Sequence, residues 1–458
     1  MSALRSWLVV LLVLGAGSML SPPLVASERL PDVRLLIDIS GSMRESDPDN
    51  LRAPALELMV RLLPDGSRAG VWTFGEHVNM PVPHALVDEP WRERASAAVA
   101  EIGNHGLLTN IPEALRAATW DAARLHYDYQ TSVILLTDGK VEVSADGAEN
   151  AAAAQLLLEQ TAREFREAGI TVHTIALSAE ADETFLTQLA QATGGLSERV
   201  VSAEQLSAVF LQALDIAAPT EQVPLFGGEF LIDASVSEFT ALIFHDPNVD
   251  EVGLAGPDGQ QYNAGSDNPA VGWFQHPRFQ LITVSEPAAG AWLISAPSAI
   301  ARVNVLSKLS LEIDAPPTTM PEGRIPEIGI SLTEAGRAVT DAELLGLLSL
   351  SIQVERQDGE RWQLQASGAD VDGAGEVRLP LTMLAAAGRY QIQVQADGGS
   401  YQREVNLITD VYAPPPELEA PPESVDTGWV PAGWLPPAIV SLLLLVLVAV
   451  FMWPRRRR

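Results

Sequence analysis

From Pro31 to about Pro219 the apolar positions switch repeatedly between two periods. Val33 to Ile37 is a short β-branched and leucine-rich run, as expected for a central parallel strand covered on both faces. Gly70 to Phe74, Thr131 to Thr137, Thr171 to Leu177 and Glu198 to Val201 read as further strands. Between them lie segments of helical period: Leu51 to Leu63, Trp91 to Ile102, Ile111 to His126, about Glu149 to Ala168, Asp182 to Thr193 and Ala203 to Ile216. Pro54 is tolerable because it falls in a first turn. Thr109-Asn110 supplies a capping site, and Gly194-Gly195 can take the left-handed C-cap conformation. Alternation of this kind predicts an α/β unit, a doubly wound parallel sheet spanning residues 28–219.

Beyond Pro219 the helical period disappears. Glu229 to Asp233, Glu238 to Phe244, Gln280 to Val284 and Ala291 to Ser295 read as strands separated by turn residues, which predicts a β-sandwich over 220–307. A second, Ig-like β module is expected over 308–412. Its clearest part is Leu350 to Leu364, two alternating strands around Asp358-Gly359, and Arg389 to Gln395 and Tyr401 to Leu407 follow. Residues 413–433 contain a Pro- and Glu-rich stretch and read as an extended spacer. Trp434 to Trp453 is apolar throughout, long enough at about 1.5 Å per residue for a hydrocarbon core of roughly 30 Å, and is expected to be a transmembrane helix. The basic tail 454–458 would fix that end in the cytoplasm. Residues 1–27 read as a secretory signal, with Arg5 ahead of an apolar stretch and Leu24-Val-Ala-Ser27 as the cleavage region; an uncleaved anchor is the alternative. The expected location is a bacterial inner membrane crossed once, with the N-terminal ectodomain in the periplasm.

Composition narrows the partners. At 458 residues several domains are expected, and 47% apolar residues suffice for their cores. A formal charge of −30 argues against nucleic acid, which needs a basic surface. The absence of cysteine excludes disulfides, zinc-thiolate sites and thiol catalysis.

The candidate chemistry lies where the first strand ends. Asp38, Ser40 and Ser42 place three oxygen-bearing side chains on alternate residues of one loop held open by Gly41. For this loop alone, serine caps and an Asx-turn would be an ordinary explanation. The Asp-x-Ser-x-Ser pattern, however, resembles the first segment of the metal-ion-dependent adhesion site of von Willebrand factor A (VWA) domains. Gly106-Leu107-Leu108-Thr109-Asn110 resembles the loop that supplies the metal-binding threonine, and Ser132 to Gly139 the strand ending in the second aspartate, Asp138. Gly169 to Leu177 and Ala192 to Gly195 are similar to the closing segments of bacterial members. The resemblance implies a metal held by Ser40, Ser42 and Thr109, with Asp38 and Asp138 acting partly through water. All five residues offer oxygen, which selects a hard octahedral cation: Mg²⁺ first, Mn²⁺ or Ca²⁺ next. Three hydroxyls and two carboxylates do not saturate it, so an Asp or Glu carboxylate of a protein partner would complete the coordination. Leu107-Leu108 departs from the family, whose bacterial members usually have glycines there.

Hydrolysis is the competing use of such an ion. It needs a placed base, and His77 and His105 are the candidates near the rim, although solvated loop positions explain both. His173 sits in mid-strand and reads as core. Glu45, Asp47 and Asp49 read as a solvated loop. No HExxH, Gly-x-Ser-x-Gly or phosphate-binding glycine loop is present. The sequence therefore points to a non-enzymatic, membrane-anchored VWA protein, a periplasmic scaffold or assembly factor. A metal-dependent hydrolase and a purely structural envelope protein with a non-functional site are the alternatives.

Overall fold

The structure, a computed structural model, describes residues 29–122, 128–178, 181–200, 203–245, 252–295 and 301–413. The expected signal segment, most of the spacer, the expected transmembrane helix and the basic tail lie outside the described residues. Among the described residues no helix is long and apolar enough to cross a membrane.

The N-terminal part is built on β1 (Leu30–Asp38), β2 (Arg68–Phe74), β3 (Val78–Leu86), β4 (Tyr129–Thr137), β5 (Thr171–Ala176) and β6 (Ser197–Arg199). Their order in the sheet is β3-β2-β1-β4-β5-β6. β1 runs parallel to both β2 and β4, and β5 and β6 follow in parallel. The chain order therefore reverses between β1 and β4, the position at which an open α/β sheet leaves a crevice beyond its carboxyl edge. The sheet is not all-parallel as the sequence suggested: β3 is an antiparallel edge strand. Pro81 and Pro83 lie in it, and an edge tolerates missing N–H groups that a central strand does not.

Seven helices of this part bear on the site or its support: α1 (Met43–Ser46), α2 (Arg52–Leu62), α3 (Glu89–Val99), α4 (Ile111–Ala118), α5 (Gly147–Leu156), α6 (Ala162–Glu167) and α7 (Glu183–Thr193); α8 (Ala203–Ala217) closes the unit. α5 and α6 are one run joined through a π turn at Leu157–Thr161. α4 is shorter than its apolar period suggested; the Thr119 hydroxyl donates back to the Leu115 carbonyl (2.7 Å) at its end. α7 ends on Gly194 at φ 83°, the left-handed cap expected of a glycine there. Successive residues of β1 serve opposite layers, because strand side chains alternate. Val33, Leu35 and Ile37 join the core beneath α2, α3 and α8, while Leu36 joins that beneath α4 and α7.

The remainder is β-rich. One four-stranded sheet holds Glu229–Ile232, Gly253–Ala255, Gln261–Tyr262 and Gly290–Ser295; another holds Leu309–Asp314, Glu327–Glu334, Arg337–Ala338 and Glu376–Pro380. Both lie beside a single ten-stranded sheet that runs through the two expected modules. Its seam is the two-residue strand Gln222–Val223, which pairs with Ala301–Ser307 on one side and, at Gln222, with Glu404 on the other. Val236–Phe244 and Phe279–Ser285 are buried on both faces. Phe239 and Ile282 fill the sandwich core, whereas Leu242, Phe279 and Leu281 join the core under α2 and α8. The α/β part and the β part thus share a hydrophobic core.

Candidate functional site

β1 ends at Asp38, and the chain turns through Ser40-Gly41-Ser42 into the single turn of α1. The Ser40 backbone N–H donates to Asp38 Oδ1 (2.8 Å), an Asx-turn that sets the loop. Thr137, at the end of β4, donates its hydroxyl to Asp38 Oδ2 (2.5 Å) and accepts the Gly139 N–H (3.1 Å). Both carboxylate oxygens of Asp38 are therefore engaged, and the group is fully buried beneath the loop. Burial pushes its pKa up to about 6; the hydrogen bonds from Ser40 and Thr137 act against that rise and the nearby Asp138 charge adds to it. A cation above the loop would favour the ionised form.

Over Asp38 lies a chain of oxygens. Ser40 Oγ and Ser42 Oγ are 3.1 Å apart, and Ser42 Oγ donates to Asp138 Oδ1 (2.8 Å). The other oxygen of Asp138 accepts the hydroxyl of Ser46, a residue the sequence reading did not include. Ser46 is one helical turn beyond Ser42, so a one-turn helix after the motif brings both hydroxyls to the same side.

Thr109 is held from two directions. It exchanges backbone hydrogen bonds with Glu142 (Thr109 N–H to Glu142 O 3.2 Å, Glu142 N–H to Thr109 O 3.0 Å), and the next N–H, of Asn110, donates to Gly75 O (3.1 Å). Asn110 also caps α4, its side-chain oxygen accepting from Glu113 N–H (3.1 Å). Gly139 gives the threonine room: a Cβ there would stand 3.1 Å from Thr109 Oγ1 and 3.3 Å from its Cγ2. Leu108, where the family resemblance led one to expect glycine, adopts φ 56°, so the loop keeps a left-handed turn without the residue suited to it.

The five residues singled out from the sequence thus come together at the carboxyl ends of β1 and β4. Ser40, Ser42, Thr109 and Asp138 line one open cleft with Gly41, Gly139, Lys140 and Leu107, and Asp38 supports its floor. His77 and His105 are exposed and do not line it. His173 is buried in β5, its Nδ1 accepting the Leu196 N–H (3.1 Å), as a core residue would be.

The acidic loop is only partly as expected. Glu45 and Asp49 are exposed, but Asp47 is buried and accepts from Arg52 Nε (2.7 Å) and the Leu51 N–H (2.6 Å). Arg52, also fully buried, donates to the Asp38 carbonyl (2.5 Å) and to the Asn104 side chain. This clamp fixes the turn after Asp38 to the segment before Gly106. Five guanidinium donors in a planar fork make such multiple contacts possible, which a lysine would not reproduce.

The donor set is compatible with a hard divalent cation: hydroxyl and carboxylate oxygens only, with a small-residue wall at Gly139. Among the described residues no group of three or more His, Asp or Glu side chains forms a metal cluster. Any cation in the cleft would therefore meet hydroxyls as much as charge.

An open α/β sheet carrying an oxygen-lined cleft at its switch point defines the class of the N-terminal part. Its family follows: residues 32–214 match the von Willebrand factor type A domain, and the chain contains a VWA domain. Among solved structures, similarity extends to a von Willebrand factor type A protein from Catenulispora acidiphila, 16% identical, with a TM-score of 0.32, covering 68% of this chain and 64% of that one. Proximal thread matrix protein 1 of the mussel byssus, with a zinc-occupied MIDAS motif, is 20% identical over 46% of this chain and 50% of its own, TM-score 0.34. BatB of Bacteroides thetaiotaomicron is 21% identical over 41% of this chain and 98% of its own, TM-score 0.31. The chain thus spans less than two thirds of the first two of these proteins. No curated protein matches the sequence.

Proposed function

We propose that this chain is a membrane-anchored envelope protein whose VWA domain captures a protein partner through a divalent cation, most simply Mg²⁺, as a scaffold or assembly factor. The observation that carries this reading is the hydroxyl–carboxylate chain Ser40–Ser42–Asp138 in an open cleft at the switch point, with Thr109 seated against Gly139. Ser40, Ser42 and Thr109 would hold the ion directly, and Asp38 and Asp138 would orient those hydroxyls and balance its charge. When bound, the ion supplies an electrophilic point for an Asp or Glu carboxylate of the partner. The chain's own part is to keep the oxygens preorganised, through Thr137 on Asp38 and Ser46 on Asp138. Neither loop histidine lines the cleft, which leaves hydrolysis only the rim carboxylates Glu142, Asp182 and Glu183 as bases and supports binding as the first reading.

The test is capture from envelope extract by the membrane-fraction protein, with and without Mg²⁺, comparing wild type with Thr109→Ala. Thr109 is neutral, so its loss removes a ligand and leaves the charge unchanged. Capture should depend on Mg²⁺ in the wild type and fall at least tenfold in Thr109→Ala. An identical set of captured proteins under all four conditions would sink the metal-bridged reading, and recovery of the chain in the soluble fraction would sink the anchor. Mg²⁺-dependent turnover of a phosphoester or peptide, lost in Asp38→Ala, would establish a hydrolase instead.

A further inference from the structure

One wall of the oxygen-lined cleft is built from the segment after Asp138. Gly139 lies against Thr109, and Glu142 exchanges backbone hydrogen bonds with it (3.2 and 3.0 Å), so residues 139–142 run alongside the threonine. Val141 is buried in the core beneath α4 and α7, whereas Lys140 and Glu142 on either side of it are exposed and line the cleft. Lys140 is the only cationic side chain among the described residues that do so; the other charges there are acidic. Asp182 caps α7 by accepting the Phe185 N–H (3.0 Å), and Glu183 lies 3.6 Å from Arg199. Lys140 has no such partner among the described residues.

This wall bears on what a cation in the cleft can accept from a partner, a question that rests on the metal-bridged reading above. Asp38 and Asp138 together balance the charge of a divalent ion. A partner's carboxylate then arrives as an uncompensated negative charge beside an acidic rim. An ammonium on a flexible four-carbon stem at that rim offsets it, whereas a water, hydroxyl or carbonyl ligand needs no such cation. Leu107 supplies a second point of contact. It is 67% exposed although its backbone is fixed: Gly106 N–H donates to Ile39 O (2.7 Å), and a Cβ on Gly75 would stand 3.1 Å from the Leu107 carbonyl oxygen. A leucine held outward on a pinned loop offers apolar surface to whatever enters the cleft.

We propose that Lys140 and Leu107 determine the specificity of the cleft: Lys140 pairs with the partner's metal-bound carboxylate, and Leu107 covers an aliphatic side chain next to it. The partner class is therefore a protein segment with a single Asp or Glu beside an aliphatic residue, and not an acidic run, which Glu142 and Glu183 repel. Charge gives Lys140 a signature. An ammonium attracts the carboxylate and repels the cation, so it raises affinity for one and lowers affinity for the other. A residue that merely supported the loop would change both in the same direction.

Paramagnetic relaxation of probe protons on the full chain, with sub-stoichiometric Mn²⁺ and about 0.15 M salt to screen the net charge of −30, provides the test. The probes are acetate, 4-methylpentanoate and the neutral 4-methylpentanamide. In the wild type 4-methylpentanoate should bind about threefold more tightly than acetate and roughly tenfold more tightly than the amide. Lys140→Gln should weaken both carboxylates about threefold while tightening Mn²⁺ about twofold, and Lys140→Glu should extend both changes. Leu107→Ser should abolish the preference for 4-methylpentanoate over acetate and leave acetate binding unchanged. Carboxylate and Mn²⁺ affinities that fall together in the Lys140 variants, or do not move, would overturn the role of Lys140. A preference that survives Leu107→Ser would overturn the apolar contact. Equal binding of amide and carboxylate would leave a metal in the cleft and remove the selection proposed for it. Failure to bind Mn²⁺, or relaxation that persists in Thr109→Ala, would instead remove the metal-bridged reading and this inference with it.

Discussion

His173 is buried in the middle of β5 with its Nε2 lacking a hydrogen-bond partner. Burial pulls its pKa from the ordinary 6.5 down to about 4, so the folded chain keeps it neutral in mildly acidic solution. The unfolded chain takes up that proton below about pH 6.5, and the folded chain does so only near pH 4. Stability should therefore fall as pH is lowered through this window, by at most roughly 3 kcal/mol. His173→Asn retains an acceptor for the Leu196 N–H and removes the titration. In urea unfolding at pH 7 and pH 5 the wild type should lose more stability than this variant; equal losses would contradict the assignment. Asp32 acts in a different window. Burial opposes its ionisation, but hydrogen bonds from His84 and Arg34 outweigh this and hold its pKa at about 2. Its contribution is present above its ordinary 3.8 and disappears only as pH falls toward 2.

At the scale of the element, the threonine loop carries a measurable strain. Leu108 at φ 56° occupies the left-handed region, which costs a non-glycine residue about 1–2 kcal/mol. The loop accepts this because both ends are pinned, by Gly106 N–H to Ile39 O (2.7 Å) and by the Thr109–Glu142 pair. Leu108→Gly should raise unfolding stability by about 1 kcal/mol. Leu108→Val should lower it, because a β-branched side chain is least suited to positive φ. Urea midpoints for the two variants moving in the same direction would show that side-chain packing, not backbone conformation, governs the position. Leu107 beside it is 67% exposed and forms an apolar lip to the oxygen-lined cleft.

At the scale of the whole described unit, the VWA sheet is tied to the β part by specific polar contacts as well as by shared core. Arg389 pairs with Glu198 on β6, donates to the Ser197 carbonyl (2.9 Å) and pairs with Asp410 (3.0 Å). The Arg61 guanidinium stacks over Phe274 at 3.6 Å. Arg403, fully buried, joins Asp233 (2.7 Å), Ser235 (2.9 Å) and the Leu309 carbonyl (3.1 Å), stapling the two β regions together. Arg389→Ala leaves Glu198 and Asp410 without their shared cation, which should cost about 3 kcal/mol. Calorimetry should then resolve the VWA domain as a separate, earlier transition from the β part. A single transition at the wild-type temperature would mean that the shared core alone couples them.

The sequence by itself determined the α/β alternation, the ends of β1 and β4, and the oxygen-bearing residues that the fold brings together there. Each of these is written locally: a buried apolar run stops at Asp38 or at Thr137, and the oxygen-bearing residues follow within the next loop. It also placed the hairpin at Asp358-Gly359 and the cap at Gly194, because turn conformations select their residues. Other features depended on which surfaces met. β3 was not among the expected strands: Pro81 and Pro83 interrupt a strand pattern, and only an edge position makes them acceptable. Asp47 looked solvated until Arg52 covered it, and Ser46 looked incidental until α1 turned it toward Asp138. The alternation in Val236–Phe244 marked a sheet strand but not what covered its second face; α2 and α8 do so through Leu242. The single pairing of Gln222 with Glu404 that joins the β regions leaves no trace in either local pattern. Periodicity records which faces of an element are apolar, whereas tertiary packing decides which partner buries them and which charges are brought together in the process.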